Sequence, residues 1–339
     1  MKCIRTENAV GHVLCHDMTQ IIPGVSKGPR FRKGHVVTEE DIPVLLSMGK
    51  ENLFVWEMEP GMVHENDAAE RLAALCGREN MTWSETKEGK IELKSAIEGV
   101  FLVDSARLFA VNSIDELMIA TRRGGGTVHP GDKLAGTRVI PLIIREEKLR
   151  QAEQAAGSAP LLSVRPFVRR TAAVITTGSE VAKGRIPDSF TPVVERKLVD
   201  FGIRMTEHVL VEDGLENVRA AIERMKQTPV DMILCTGGMS VDPDDSTPGA
   251  IKASGADIVT YGAPVLPGAM FLLGYYGDGR PVMGLPGCVM YAKATIFDLV
   301  LPRIAADVRL EKRDFVVFGE GGLCLGCESC TYPHCGFGR

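Results

Sequence analysis

Cys324, Cys327, Cys330 and Cys335 stand in the pattern C-x2-C-x2-C-x4-C within GGLCLGCESCTYPHCGFGR, near the end of a 339-residue chain. Thiolates at such short intervals can wrap a single soft ion, so the spacing predicts a tetrahedral zinc site or an iron–sulfur cluster. The last gap is one residue longer than in the bacterial ferredoxin run, no proline follows Cys335, and His334 offers a competing zinc ligand. The segment has too few large apolar residues to build a core of its own, so a metal would supply much of its folding free energy. A reduced, flexible tail is the alternative. Of the other cysteines, Cys235 and Cys288 sit beside apolar runs and read as packed rather than reactive.

A second group of residues able to hold a ligand lies in three glycine-rich segments, each following a short apolar run. Thr177, Gly178, Ser179 and Glu180 follow TAAVI, where glycine lets backbone approach a ligand while hydroxyls and amides offer donors to a phosphate. By itself this is equally a plain β-turn. Thr236, Gly237, Gly238 and Ser240 follow DMILC, and Ser246-Thr247-Pro248 then reads as a helix start that exposes amides and hydroxyls. Between them stand Asp242, Asp244 and Asp245. Three carboxylates would repel a phosphate unless they bind a cation or a donor-rich ring edge, although one of them would serve equally as a helix cap. Pro286, Gly287 and Cys288 follow PVMGL, with Gly287 expected to expose amides at the start of a long helix. Pro267 and Gly268, in PVLPGA, form a fourth candidate wall.

The elements that must position these residues are legible from periodicity. TAAVITT, DMILC and PVMGL are short apolar runs of the kind buried strands use. They alternate with amphipathic stretches near residues 191–201 and 215–225, which predicts an α/β domain with a mostly parallel sheet, its first helix capped by Ser189 and ended by Gly202. Ligands of open sheets of this kind bind beyond the carboxyl ends of the strands, where all three segments fall. Upstream, residues 1–60 read as a small α+β accessory module with a helix from Thr38 to Met48. Residues 61–158 read as mainly β, with GVFLV, RLFAV and TRVIPLII as strands, one helix near residues 113–121, and a connector helix over 147–158. The α/β domain then occupies 159–310 and the cysteine tail 311–339.

A composition of 45% hydrophobic and 24% charged residues is that of a globular chain, and a net charge of -5 offers no general attraction for nucleic acid or anionic membrane. The start MKCIRTENAVGHVL has no secretory pattern, and the most apolar stretch, 281–305, is broken by Gly284, Pro286, Gly287, Lys293 and Asp298. A cytoplasmic protein with no membrane partner is expected.

Over roughly residues 170–305 the segments together resemble the molybdopterin-binding domain shared by molybdopterin molybdotransferases, such as MoeA and the gephyrin E domain, and the MoaB/Mog proteins. TTGSE is similar to their TG(D/S)E, TGGMSVDPDD to TGG(V/T)S...D, LPGA to KPG and GLPGC to GLPGN; residues 10–55 more weakly resemble the family's accessory modules. The resemblance implies a three-layer α/β/α fold and binding of molybdopterin or adenylylated molybdopterin by the glycine loops. It further implies a role in molybdenum cofactor biosynthesis, with Asp242, Asp244 and Asp245 and a Mg2+ ion assisting release of AMP when molybdate is inserted. A molybdoenzyme or another cofactor-biosynthesis protein would be the partner, and a homo-oligomer is expected. The chain departs from the pattern at Ser179 (Asp in the family), Leu266 (Lys) and Cys288 (Asn), which opens the reading of a non-catalytic carrier or sensor. VDPDDSTP also resembles the GPTxDDxT loop of CinA-like proteins, so nucleotide pyrophosphate hydrolysis is a third reading.

Overall fold

The computed structural model describes residues 2–22, 26–55, 60–240 and 246–338, the side chain of Ser26 excepted. The chain divides into two compact units, one of residues 1–94, 103–122 and 133–163, the other of 95–102, 123–132 and 164–339. The second unit thus takes two short pieces of the stretch read as mainly β, and it includes the cysteine tail.

In the first unit, strands Lys2–Arg5 and Asn52–Val55 pair antiparallel, and Met18–Ile22 pairs with Ser26–Phe31. Leu14, Met18, Phe31, Val37, Leu45 and Leu53 are buried together beneath them. The helix here spans Asp41–Ser47 rather than starting after Thr38. Asp41 carboxylate accepts the Thr38 amide and hydroxyl, both at 2.8 Å, so Thr38 is bound by the helix start instead of capping it. A four-stranded antiparallel sheet follows, ordered Met81–Trp83, Lys90–Ser95, Lys133–Val139, Leu117–Thr121.

That sheet corrects two expectations. The predicted strand RLFAV lies in a helix, Ser105–Asn112, and the predicted helix near 113–121 is largely the strand Leu117–Thr121. Asp104 nucleates the helix by accepting the Arg107 amide at 3.0 Å, and Arg107 reaches the carbonyls of Ala156, Ala159 and Pro160. Asn112 then brackets Ile119, donating to its carbonyl and accepting from its amide, which sets up the strand after a chain reversal.

The second unit carries a six-stranded sheet of β1 (Thr171–Thr177), β2 (Arg204–Val211), β3 (Met232–Thr236), β4 (Asp257–Tyr261), β5 (Leu272–Tyr275) and β6 (Pro281–Leu285), in the order β2-β1-β3-β6-β5-β4. β2, β1, β3 and β6 pair parallel and β5 runs against both its neighbours, which confirms the mostly parallel α/β reading. The unit also contains helices α1 (Ser179–Ala182), α2 (Thr191–Val199), α3 (Leu215–Lys226), α4 (Thr247–Ala253), α5 (Ile296–Ala305) and α6 (Lys312–Val316).

Strand alternation creates the layers. Ala172, Val174, Met232, Leu234 and Met283 point to one face, against Val194 and Leu198 of α2, Phe297 and Val300 of α5 and Phe315 of α6. Their sequence neighbours Ala173, Ile175, Ile233, Cys235 and Val282 point to the other, against Val218 and Ile222 of α3 and Ile251 of α4. Two cores flanking one sheet give three layers, α/β/α. Each such fully buried Val, Leu, Ile, Met or Phe side chain contributes about 1.5–3 kcal/mol. No helix among the described residues is long and apolar enough to cross a membrane.

Candidate functional site

Register places the glycine segments on one edge of the sheet. Thr177 pairs with Val211, Thr176 with Thr236, Thr236 with Leu285, and Tyr261 with Leu272. Everything that immediately follows Thr177, Val211, Thr236, Tyr261 and Leu285 therefore emerges at the same side, beyond the carboxyl ends of the parallel strands.

The first two segments are locked to each other. Thr177 is buried and its hydroxyl donates to the Thr236 carbonyl at 3.1 Å. Gly237 (φ +84°) and Gly238 (φ +56°) hold left-handed backbone, and a β-carbon on Gly237 would stand 2.4 Å from the Thr177 carbonyl oxygen. No other residue allows that approach. Thr247, fully buried at the start of α4, spends its amide on the Gly238 carbonyl at 3.1 Å and its hydroxyl on the Gly237 carbonyl at 2.9 Å. It is thus an anchor for the loop and not the exposed donor expected from sequence. Ser246 is half-buried, Ser240 exposed, and Thr236 hydroxyl is buried with no hydrogen-bond partner among the described residues. Asp242, Asp244 and Asp245 lie outside the described residues.

Gly178 (φ +146°) donates its amide to the Val211 carbonyl at 3.2 Å. Ser179 amide donates to Asp213 carboxylate at 2.7 Å, which fixes the start of α1, while Glu180 is exposed. Pro267 carbonyl accepts the Ile296 amide at 3.4 Å, and Gly268 lies so close to Ile296 that a β-carbon would come within 2.6 Å of it. Leu266 is exposed.

The third segment departs from expectation. Gly287 opens a 3₁₀ turn, Gly287–Met290, and the long helix begins only at Ile296, capped by Thr295 and Asp298 in a reciprocal capping box. Pro286 is buried and its carbonyl accepts the Val289 amide at 3.0 Å; Cys288 carbonyl accepts the Ala292 amide at 2.8 Å. Burial pushes the Cys288 thiol pKa above its ordinary value.

One polar cluster at this edge escapes the sequence reading. Thr176 and Thr191 hydroxyls lie 2.8 Å apart, and His208 Nε2 is 3.2 Å and 3.1 Å from them. Asp188 accepts the Thr191 hydroxyl at 2.5 Å and the amides of Phe190 and Thr191, and sits 3.5 Å from His208. Burial opposes ionisation of Asp188, but the bonds from Thr191 and Phe190 outweigh it and lower its pKa. Asp188, not Ser189, is therefore the residue that serves the start of α2; the signal was an Asp three residues ahead of Thr191-Pro192.

In the tail, Cys324 and Cys335 are half-buried against the core while Cys327 and Cys330 are exposed. Among the described residues no three Cys, His, Asp or Glu side chains are gathered closely enough to hold a metal ion.

The family model described as "Probable molybdopterin binding domain" matches residues 173–306, and a domain of unknown function (DUF8806) matches residues 3–57. Residues 173–306 are thus similar to a probable molybdopterin-binding domain. A molybdopterin molybdenumtransferase from Staphylococcus epidermidis is 31% identical over 133 residues, covering 37% of this chain and 31% of that protein. A CinA-like protein from Mycobacterium tuberculosis is 29% identical over 80 residues, covering 24% of this chain and 19% of that protein. The chain thus spans less than a third of the length of either relative. Among solved structures, the Mog protein from Mycobacterium ulcerans has a TM-score of 0.31 at 23% identity, covering 40% of this chain and 91% of that one. CinA from Thermoplasma acidophilum has a TM-score of 0.35 at 20% identity, covering 40% and 98%. All four glycine segments and the Asp188 cluster fall inside the matched residues 173–306.

Proposed function

We propose that the strand-end edge of the molybdopterin-binding domain binds molybdopterin, or its adenylylated form, through the loops at 177–180, 236–240, 264–268 and 286–288, and that the chain acts in molybdenum cofactor biosynthesis. The observation that carries this reading is the convergence of these loops on one edge, with two of them bolted together through Thr177, Gly237, Gly238 and Thr247. Backbone bent in this way presents amides to an anion without needing a cationic side chain.

Turnover is assigned to the acidic segment. Asp242, Asp244 and Asp245 supply the hard oxygen donors that suit Mg2+, and the ion would neutralise charge developing on a phosphate during AMP release. A carrier or sensor that binds without turnover is favoured by Ser179, Leu266 and Cys288, which remove an acid, a cation and an amide from the family pattern. The CinA-like match keeps pyrophosphate hydrolysis as a further reading. The tail thiols are suited to zinc or an iron–sulfur cluster.

One experiment separates these. Calorimetric titration of anaerobically prepared protein with both pterins is followed by an assay for AMP with Mg2+ and molybdate. Binding with AMP release supports the molybdotransferase, and Asp244→Asn or Asp245→Asn should then abolish release while retaining the pterin. Binding alone supports the carrier, and metal-dependent hydrolysis of a dinucleotide without molybdate supports the CinA-like activity.

A further inference from the structure

The cysteine tail is built into the ligand edge. Phe315, Phe318 and Phe337 are buried in the core on one face of the sheet. Leu266 amide donates to the Gly322 carbonyl at 2.8 Å and Cys324 amide donates to the Leu266 carbonyl at 2.8 Å, so Leu266 is held on both sides by the residues flanking Leu323. That approach needs Gly322, whose β-carbon would stand 2.3 Å from the Pro264 carbonyl oxygen. The next residues along, Pro267 and Gly268, are the ones seated on Ile296. Cys324 is therefore hydrogen-bonded to the residue that directly precedes the Pro267–Gly268 wall of the ligand edge.

The strap is also closed at its base. Gly338 amide donates to the Gly321 carbonyl at 2.8 Å, bracketing all four thiols, and Tyr332 hydroxyl donates to the Asp298 carbonyl at 3.0 Å in the first turn of α5. Cys324 and Cys335 sit half-buried near this base. Cys327 and Cys330 are exposed on irregular backbone with no helix or strand to hold them apart. Closing a loop whose ends are already joined costs little further chain entropy.

We propose that residues 321–338 form a clasp for a thiophilic metal, zinc or iron, which draws together Cys324, Cys327, Cys330 and Cys335, not gathered in the metal-free structure, and takes them as thiolates with release of their protons to solvent, and that occupancy rigidifies the 264–268 loop. The functional importance of that loop rests on the pterin-binding reading; its coupling to the strap does not.

The test uses the full chain, stripped of metal under anaerobic reducing conditions and titrated with Zn2+ or with Fe2+. One Zn2+ or one Fe2+ per chain is expected, with loss of four titratable thiols and about tenfold slower hydrogen exchange at peptides covering both 322–335 and 264–268. The double variant Cys327→Ser/Cys330→Ser, altered only at exposed positions, should lose the metal and the protection together while keeping the parent circular dichroism. Absence of stoichiometric metal overturns the clasp. Metal binding that protects 322–335 and leaves 264–268 unchanged overturns the coupling. Neither failure bears on pterin binding, because no pterin is present.

Discussion

Gly237→Ala probes the junction on which the ligand edge depends. At φ +84° an alanine pays about 1–2 kcal/mol for the left-handed conformation. Its β-carbon would also stand 2.4 Å from the Thr177 carbonyl oxygen, inside the 3.0 Å that real β-carbons keep, and the obstacle is backbone. Relieving the overlap must move Thr177 away from the Thr236 carbonyl, at a cost of the order of overpacking, about 1–3 kcal/mol. The expected destabilisation is about 2–5 kcal/mol by urea unfolding, with weakened pterin binding in the surviving folded protein. Gly277→Ala is the control, since that glycine has open space around it and an ordinary φ; it should change stability by no more than about 1 kcal/mol. A Gly237→Ala protein as stable as the control would refute the claim that the two loops are bolted together by backbone contact.

Further tests follow from the same geometry. Asp188→Ala should cost about 1–2 kcal/mol by urea unfolding through loss of the α2 cap. Asp231 accepts the Arg170 and Thr171 amides and the Thr171 hydroxyl. Burial opposes its ionisation, yet these bonds hold its pKa below the usual 3.8. Its contribution is thus present above the unfolded pKa and lost as pH falls through the folded one, and Asp231→Asn should flatten the fall in stability below about pH 4. Burial pushes the Cys235 thiol up to about 12, so iodoacetamide at pH 8 should label Cys327 and Cys330 in the native apo protein and leave Cys235 unlabelled until denaturation.

The sheet and its ligand edge were legible because fully buried parallel strands write continuous apolar runs, and glycine must appear where backbone meets backbone, as at Gly237. What sequence could not rank was which polar group serves structure. Thr247 looked like an exposed donor but is consumed in anchoring Gly237 and Gly238, and Gly287 looked like a helix start but opens a 3₁₀ turn because the Thr295 and Asp298 box sets the start of α5 further on. The exchange of helix and strand around 105–121 has a similar origin. RLFAV is a short, mostly apolar run like that of a strand, yet Asp104 and Arg107 supply side-chain bonds that favour a helix, and the partners of Arg107 lie about fifty residues away in sequence. The Asp188 and His208 pairing likewise joins residues from separate elements, so no local spacing announces it.

Calorimetric titration of the anaerobic protein with molybdopterin and with adenylylated molybdopterin tests the central claim most directly. The account predicts saturable binding of at least one of them at one per chain, weakened by Gly237→Ala and unaffected by Gly277→Ala. No binding of either pterin to protein shown by circular dichroism to be folded would contradict it.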